Sequence, residues 1–156
     1  MTTPLVFLPG WCLGRGPLNA AVSALNGRII DLPGYGDTPL ITDFDHAVDV
    51  IAERLQGGTT LCGWSLGAQL TLAIAARHPD KVGKLVLVAG TTSFVQRNGW
   101  PHAMPPDMLA DFTAGIAADA EAMLPRFVGG FNRGDARGKE VTRQLLELAD
   151  PRPSVE

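Results

Sequence analysis

Long apolar runs, a surplus of basic residues and metal-type histidine–cysteine clusters are all missing from these 156 residues. No apolar stretch approaches the ~20 residues that span a bilayer, so no membrane-crossing helix is expected. Net charge is −3, and nothing in the global balance points to nucleic acid as a partner. The start, Met1-Thr2-Thr3-Pro4, has no basic n-region and runs straight into an apolar segment. No secretory leader is therefore expected, and the expected location is cytoplasmic. Cys12 and Cys62 are the only cysteines. They lie in or beside apolar segments and form neither a CxxC pair nor a His/Cys ligand spacing, so no metal is expected. A disulfide is disfavoured in a reducing compartment, and two packing thiols are the expectation. Gly14-Arg15-Gly16 is a weak nucleotide signal, because neither GxGxxG nor GxxxxGK[ST] follows a strand. No cofactor is expected, and no internal repeat or low-complexity tract is visible.

What is present is an ordinary globular composition, 46% hydrophobic and 19% charged, in a chain long enough to bury about 68–70% of its unfolded surface. Its most informative segment is Gly63-Trp64-Ser65-Leu66-Gly67. It follows the apolar run Thr59-Thr60-Leu61-Cys62 and opens the apolar-rich stretch 68–77. A strand, a Gly-x-Ser-x-Gly turn and a helix together make a nucleophile elbow. Small flanking residues let the strand and helix backbones approach, and the turn holds the serine in strained φ/ψ. The Oγ then projects at a helix N-terminus, where developing negative charge is favoured. The plainer alternative is a glycine-rich turn with a capping serine.

The surroundings favour the elbow. Apolar runs near 4–8, 28–31, 59–63 and 84–89 read as strands, and 17–25, 44–56 and 66–77 read as helices. Alternation of this kind predicts a parallel α/β sheet flanked by helices. Asp43 or Thr42 is the expected cap of the second helix. His78-Pro79 should stop the third, because the residue before proline avoids the helical region. After Ala89 the texture changes. Trp100 to Pro106 reads as an irregular joint, and 107–115, 117–128 and 135–149 read as amphipathic helices. Between Arg126 and Arg143 stand five basic residues, Arg126, Arg133, Arg137, Lys139 and Arg143, against Asp135 and Glu140. The plain reading of that run is a solvated helix face.

Leu8-Pro9-Gly10-Trp11, Asp31-Leu32-Pro33-Gly34-Tyr35-Gly36, Gly63-Trp64-Ser65-Leu66-Gly67, His78-Pro79-Asp80 and Trp100-Pro101 together resemble the α/β-hydrolase superfamily. Within it they are most similar to the pimeloyl-[acyl-carrier protein] methyl ester esterases of biotin synthesis, across essentially the whole chain. Pro9 departs from the His that many hydrolases carry there. The resemblance implies a partial α/β-hydrolase fold, with core at 1–96 and a helical lid at 97–156. It implies Ser65 as nucleophile of a carboxylesterase, with the backbone N–H groups of Leu66 and Trp11 as oxyanion hole. Trp11, Leu13, Trp64 and Phe127 match positions lining the acyl channel, with Phe94 and Met123 extending the set. It also implies that the lid cations, Arg126 foremost, grip an acyl carrier protein.

A serine hydrolase needs a base and a carboxylate to orient it, in the order Ser, Asp or Glu, His. By resemblance both should follow the lid, and here they have no counterpart; nor does the strand that would pair with 84–89, which would leave a bare apolar edge. The resemblance thus implies that this chain alone is weak or inactive. His46 precedes the serine, His78 reads as a helix C-cap, and only His102, in the joint, could overhang Ser65. Asp31 and Asp37 precede the serine as well. Two other functions remain open at this point. One is a hydrolase of small free esters; the other is a non-catalytic module that binds acyl groups or a partner.

Overall fold

The computed structural model describes residues 3–36 and 38–150; Asp37 thus lies outside the described residues. Four strands, β1 (Leu5–Leu8), β2 (Arg28–Ile29), β3 (Thr59–Trp64) and β4 (Val82–Val88), form one sheet in the order β2-β1-β3-β4. Every neighbouring pair is parallel. Parallel neighbours need crossovers, and the segments between the strands carry α1 (Asn19–Ala24), α2 (Phe44–Glu53) and α3 (Leu66–Arg77). The sheet anticipated from the apolar runs is therefore present. β2 is two residues shorter than the run suggested, with Ile30 N–H adding one further bond to Phe7 O at 3.1 Å.

Local chemistry sets the ends of these elements. Asp43 caps α2, its carboxylate accepting from His46 N–H at 2.7 Å. Ala47, Val48, Ile51 and Ala52 then turn one stripe of α2 into the core. Pro79 ends α3 after Arg77, and His78 N–H closes the last turn on Ile74 O. Val6, Leu8, Ile30, Leu61, Leu70 and Ile74 are the centre of the core, between the sheet and its helices.

Strand β4 is different. Leu85, Val86, Leu87 and Val88 are 40–46% exposed. Successive strand residues point to opposite faces, so both faces of β4 show aliphatic side chains. It is also the terminal strand of the sheet. This is the bare apolar edge anticipated from the sequence.

The chain divides into two compact units. One holds the described residues up to Thr92 with 149–150, and the other is Ser93–Leu148. The second contains α4 (Pro106–Ala118), α5 (Ala120–Phe131) and α6 (Gly138–Leu148). Asp119 separates α4 from α5 by capping Ala122 N–H at 3.0 Å. The α5 helix runs through Gly129-Gly130 to Phe131, three residues past the end expected at Val128. Asn132 closes it, donating to Val128 O at 3.0 Å and to Thr142 Oγ1 of α6 at 3.1 Å. Among the described residues no helix is long and apolar enough to cross a membrane.

Candidate active site

Ser65 occupies the single residue between β3 and α3. Its φ of +56° and ψ of −115° lie outside the regions open to ordinary residues. Neighbouring backbone holds it there: its N–H donates to Val88 O at 2.9 Å, and its C=O accepts from Ala68 N–H at 2.9 Å. The bend works because two glycines are bare. A Cβ on Gly63 would sit 2.5 Å from Thr71 Oγ1, and one on Gly67 would sit 2.6 Å from Pro9 O. Ser65 stands at the N-cap of α3, yet its side chain makes no capping bond. The capping-serine alternative fails on that observation. The chain passes from Ser65 directly into the first residues of α3, Leu66 and Gly67. Such first-turn amides have no intrahelical acceptor and carry the positive end of the helix dipole.

The loop after β1 forms the other flank. A Cβ on Gly10 would lie 3.3 Å from Ser65 Cβ and 3.2 Å from the Trp64 ring. Trp11 follows, then Cys12 at φ +70° and Gly14 at φ +61°. A left-handed cysteine needs support, and the structure supplies three ties. Cys12 N–H donates to Tyr35 Oη at 2.6 Å, buried. Arg15 Nε donates to Asp31 Oδ1 at 2.9 Å, and its Nη2 pairs with Oδ2 of the same buried carboxylate. Asp150 N–H donates to Leu13 O at 3.1 Å, while Gly16 N–H donates to Asp150 O at 2.9 Å.

Burial pushes the Tyr35 phenol up to about 12, so it stays protonated and keeps its role at neutral pH. Burial pushes the Cys12 thiol up to about 12 and raises Cys62 as well. Thiolate is the reactive form, so burial works against nucleophilic chemistry at either sulfur. Both are unpaired thiols.

Comparison with known proteins bears on this arrangement. Residues 5–155 match the model of the "Alpha/beta hydrolase family". The chain belongs to the alpha/beta hydrolase family. It is 38% identical over 130 residues to a pimeloyl-[acyl-carrier protein] methyl ester esterase of Nitrosomonas europaea, covering 80% of this chain and 52% of that one. It is 34% identical over 155 residues to the protein of the same name from Shewanella woodyi, covering 96% and 60%. The chain thus spans roughly half to three-fifths of the length of these relatives. Among solved structures, an esterase from Exiguobacterium antarcticum superposes with a TM-score of 0.80 at 24% identity, over 97% of this chain and 62% of the other. That likeness concerns the fold.

Within this alpha/beta hydrolase, the first unit brings together Ser65, Leu66, Trp64 and the loop carrying Trp11. Leu13 is buried in the same loop. The remaining sites named from the sequence belong to the second unit. There Phe127 stands between Phe112 and Phe131, with ring centroids 5.2 and 5.5 Å away, and Phe94 is 42% exposed. Arg126, Arg133, Arg137, Lys139 and Arg143 are all exposed. Arg143 pairs with Glu147 at 2.7 Å, and Arg133 and Lys139 border an open hollow of about 430 Å³.

Neither histidine of the first unit is set at the elbow. His78 lies beyond the far end of α3, a helix of 12 residues and hence ~18 Å long. There its Nε2 meets Asp49 Oδ1 at 2.8 Å. His46 is exposed on α2. His102 belongs to the second unit and is exposed.

Sequence reasoning missed Tyr35 and the Arg15–Asp31 pair as supports of the Trp11 loop. The available signal was a lone tyrosine inside the strand-end motif Asp31-Leu32-Pro33-Gly34-Tyr35-Gly36.

Proposed function

We propose that the polypeptide carrying these residues is a serine carboxylesterase, and that its substrate is the methyl ester of a pimeloyl chain held on an acyl carrier protein. One observation carries the chemical half of this reading. Ser65 is held at φ +56° between β3 and α3, with its hydroxyl not used as a helix cap. In the reading, Ser65 Oγ attacks the ester carbonyl and the methoxide leaves as methanol. The oxyanion is received by the amides of Leu66 and Trp11, each such donor being worth roughly 2.7–4 kcal/mol in a transition state. Water then releases the acid. The reading requires an imidazole delivered to Ser65, and no histidine described here is assigned that role.

The substrate half rests on relatives that bear the esterase name at 34–38% identity and on the exposed cations spaced along α5, the loop after it and α6. Arg126, Arg133, Arg137, Lys139 and Arg143 fit an acidic carrier, and long-range attraction of that kind is lost at high salt. The second unit would serve as the lid, with Phe94 and Phe127 on the acyl chain.

The test uses the longest natural polypeptide that contains these 156 residues. A fluorophosphonate should modify Ser65, and Ser65→Ala should abolish both modification and ester hydrolysis with little loss of stability. Retained hydrolysis in Ser65→Ala would mean a different nucleophile. Arg126→Glu with Arg137→Glu should cripple turnover of the carrier-linked ester and spare a small chromogenic ester. Equal loss on both substrates would remove the carrier from the reading.

A further inference from the structure

Among the described residues, the buried polar side chains are Asp31, Thr59 and Thr71. Asp31 pairs with Arg15, and Thr59 Oγ1 donates to Gln56 O at 2.8 Å. Thr71 differs. Its Oγ1 is fully buried and has no hydrogen-bond partner among the described residues. A buried hydroxyl without a partner is destabilising, and each such group in a folded protein calls for a reason. In a helix the ordinary relief is a bond back to the carbonyl four residues earlier. Here that carbonyl is Gly67 O, and the bond is not made. Thr71 is also the one polar residue of the buried stripe of α3, which otherwise holds Gly67, Ala68, Leu70 and Ile74.

What the oxygen faces is the elbow. A Cβ on Gly63 would sit 2.5 Å from Thr71 Oγ1, with Gly67 O crowding the same point. In glycine a Cα–H bond takes that direction, so this hydrogen lies against the Thr71 oxygen. Cα–H groups pair weakly with such oxygens. Gly63 stands two residues before Ser65 on β3, and Thr71 six residues after it on α3. The contact therefore spans the bend that holds Ser65 at φ +56°. A methyl group at the Oγ1 position would be larger and would carry no negative charge towards the Cα–H. It would press α3 away from β3 at the point where Ser65 is aimed.

We propose that Thr71 is a positioning residue for Ser65. Its oxygen, seated against Gly63, sets the separation of β3 and α3 at the bend, and with it the direction of the serine hydroxyl. The inference rests on Ser65 being the nucleophile. It gives a functional reason for a hydroxyl that stability alone would exchange for a methyl group.

The test uses the longest natural polypeptide that contains these residues, with 4-nitrophenyl methyl methylphosphonate as reagent. The Oγ–P bond forms, the P–O bond to 4-nitrophenolate breaks, and the hydroxyl proton passes to buffer. Thr71→Val keeps the size and removes the oxygen. Thr71→Ala and Thr71→Ser both lose the methyl group and differ only in the oxygen. A displacement of about 1 Å at a reacting group costs roughly a hundredfold in rate. With a smaller displacement, Thr71→Val and Thr71→Ala should each slow capture at least about tenfold, and Thr71→Ser should stay within about threefold of the parent. Urea midpoints should run the other way. Thr71→Val should match or exceed the parent, and Thr71→Ala should exceed Thr71→Ser, since alanine is the better helix former and leaves no hydroxyl unpaired. A packing role alone predicts capture that follows stability. Parent-like capture in Thr71→Val, or in Thr71→Ala if Thr71→Val does not fold, overturns the inference. Equal slowing in Thr71→Ala and Thr71→Ser overturns it as well. NMR supplies a reading that needs no reaction: the Gly63 Hα and Ser65 amide signals should move in Thr71→Val and Thr71→Ala and hold in Thr71→Ser. Signals that move in this way, in a parent that the phosphonate does not capture, overturn the nucleophile instead, and Thr71 then shapes the fold alone.

Discussion

Tyr35 Oη accepts the Cys12 backbone N–H at 2.6 Å in a buried setting. This single bond ties the loop after β2 to the loop that carries Trp11. It also satisfies an amide at φ +70°, whose conformation costs about 1–2 kcal/mol in a residue with a side chain. Tyr35→Phe keeps the ring and removes the acceptor. A buried amide without a partner costs roughly 1–3 kcal/mol, and the urea unfolding midpoint should fall accordingly. If Trp11 donates to the oxyanion, loosening its loop should also slow capture of Ser65 by a small phosphonate, about tenfold or ~1.4 kcal/mol. A stability loss with unchanged capture would show that Tyr35 supports the fold and leaves the oxyanion hole alone.

Ser65 is held against its own backbone preference. Ser65→Gly removes the Cβ that makes φ +56° and ψ −115° unfavourable. Strain of this type is worth about 1–3 kcal/mol, partly offset by the extra chain entropy of glycine in the unfolded state, roughly 0.5–1 kcal/mol. The variant should therefore be more stable than the parent by about 1 kcal/mol, read from chemical denaturation, while phosphonate capture is lost. A destabilised Ser65→Gly would mean that the hydroxyl has a structural partner, against the reading of a hydroxyl free for attack.

The parts of this architecture that are legible in sequence are those decided over short distances. The Asp43 cap, the stop at Pro79 and the Gly63–Gly67 bend each depend on residues within four positions of one another, and each stands where the pattern put it. Strand β4 begins at Val82, two residues before the apolar run. There Thr59 pairs with Val82 across an irregular register, and Gly58 N–H donates to Asp80 O at 3.1 Å. Pairing with β3 therefore draws Val82 and Gly83 into the strand although neither belongs to the run. α5 passes its expected end at Val128 for the same reason. Contacts from Phe131 to Phe127 and from Asn132 to Thr142 hold one more turn of α5 than local propensity supports. Tyr35 and Asp31 act on residues 23 and 16 positions away, beyond what periodicity or capping rules can see.

The edge of β4 makes a prediction about behaviour in solution. Leu85 and Leu87 share one face, Val86 and Val88 the other, and all four are 40–46% exposed. An uncovered apolar edge with free backbone groups is a template for pairing with another strand. The 156-residue chain should associate as its concentration rises. Val86→Lys places a charge on that edge and should shift sedimentation velocity profiles towards the monomer, with circular dichroism unchanged. Identical association in Val86→Lys would place the contact elsewhere.

At the far end of α3, Asp49 links two elements. Its carboxylate meets His78 Nε2 at 2.8 Å and Arg77 Nη2 at 2.8 Å, joining α2 to the C-terminus of α3. The hydrogen bond from His78 is the main reason its pKa lies below the ordinary 3.8, reinforced by the Arg77 charge. A depressed carboxylate stabilises the fold above its unfolded pKa and loses that contribution as pH falls through the lower folded value. Removing the charge by Asp49→Asn should therefore lower the thermal midpoint at pH 6 to 7. The gap between variant and parent should shrink once the pH drops below 3.8, and added salt should narrow it at neutral pH because the pair is exposed. A gap that is constant from pH 7 to pH 3 would assign the effect to lost packing, with no role for the carboxylate charge.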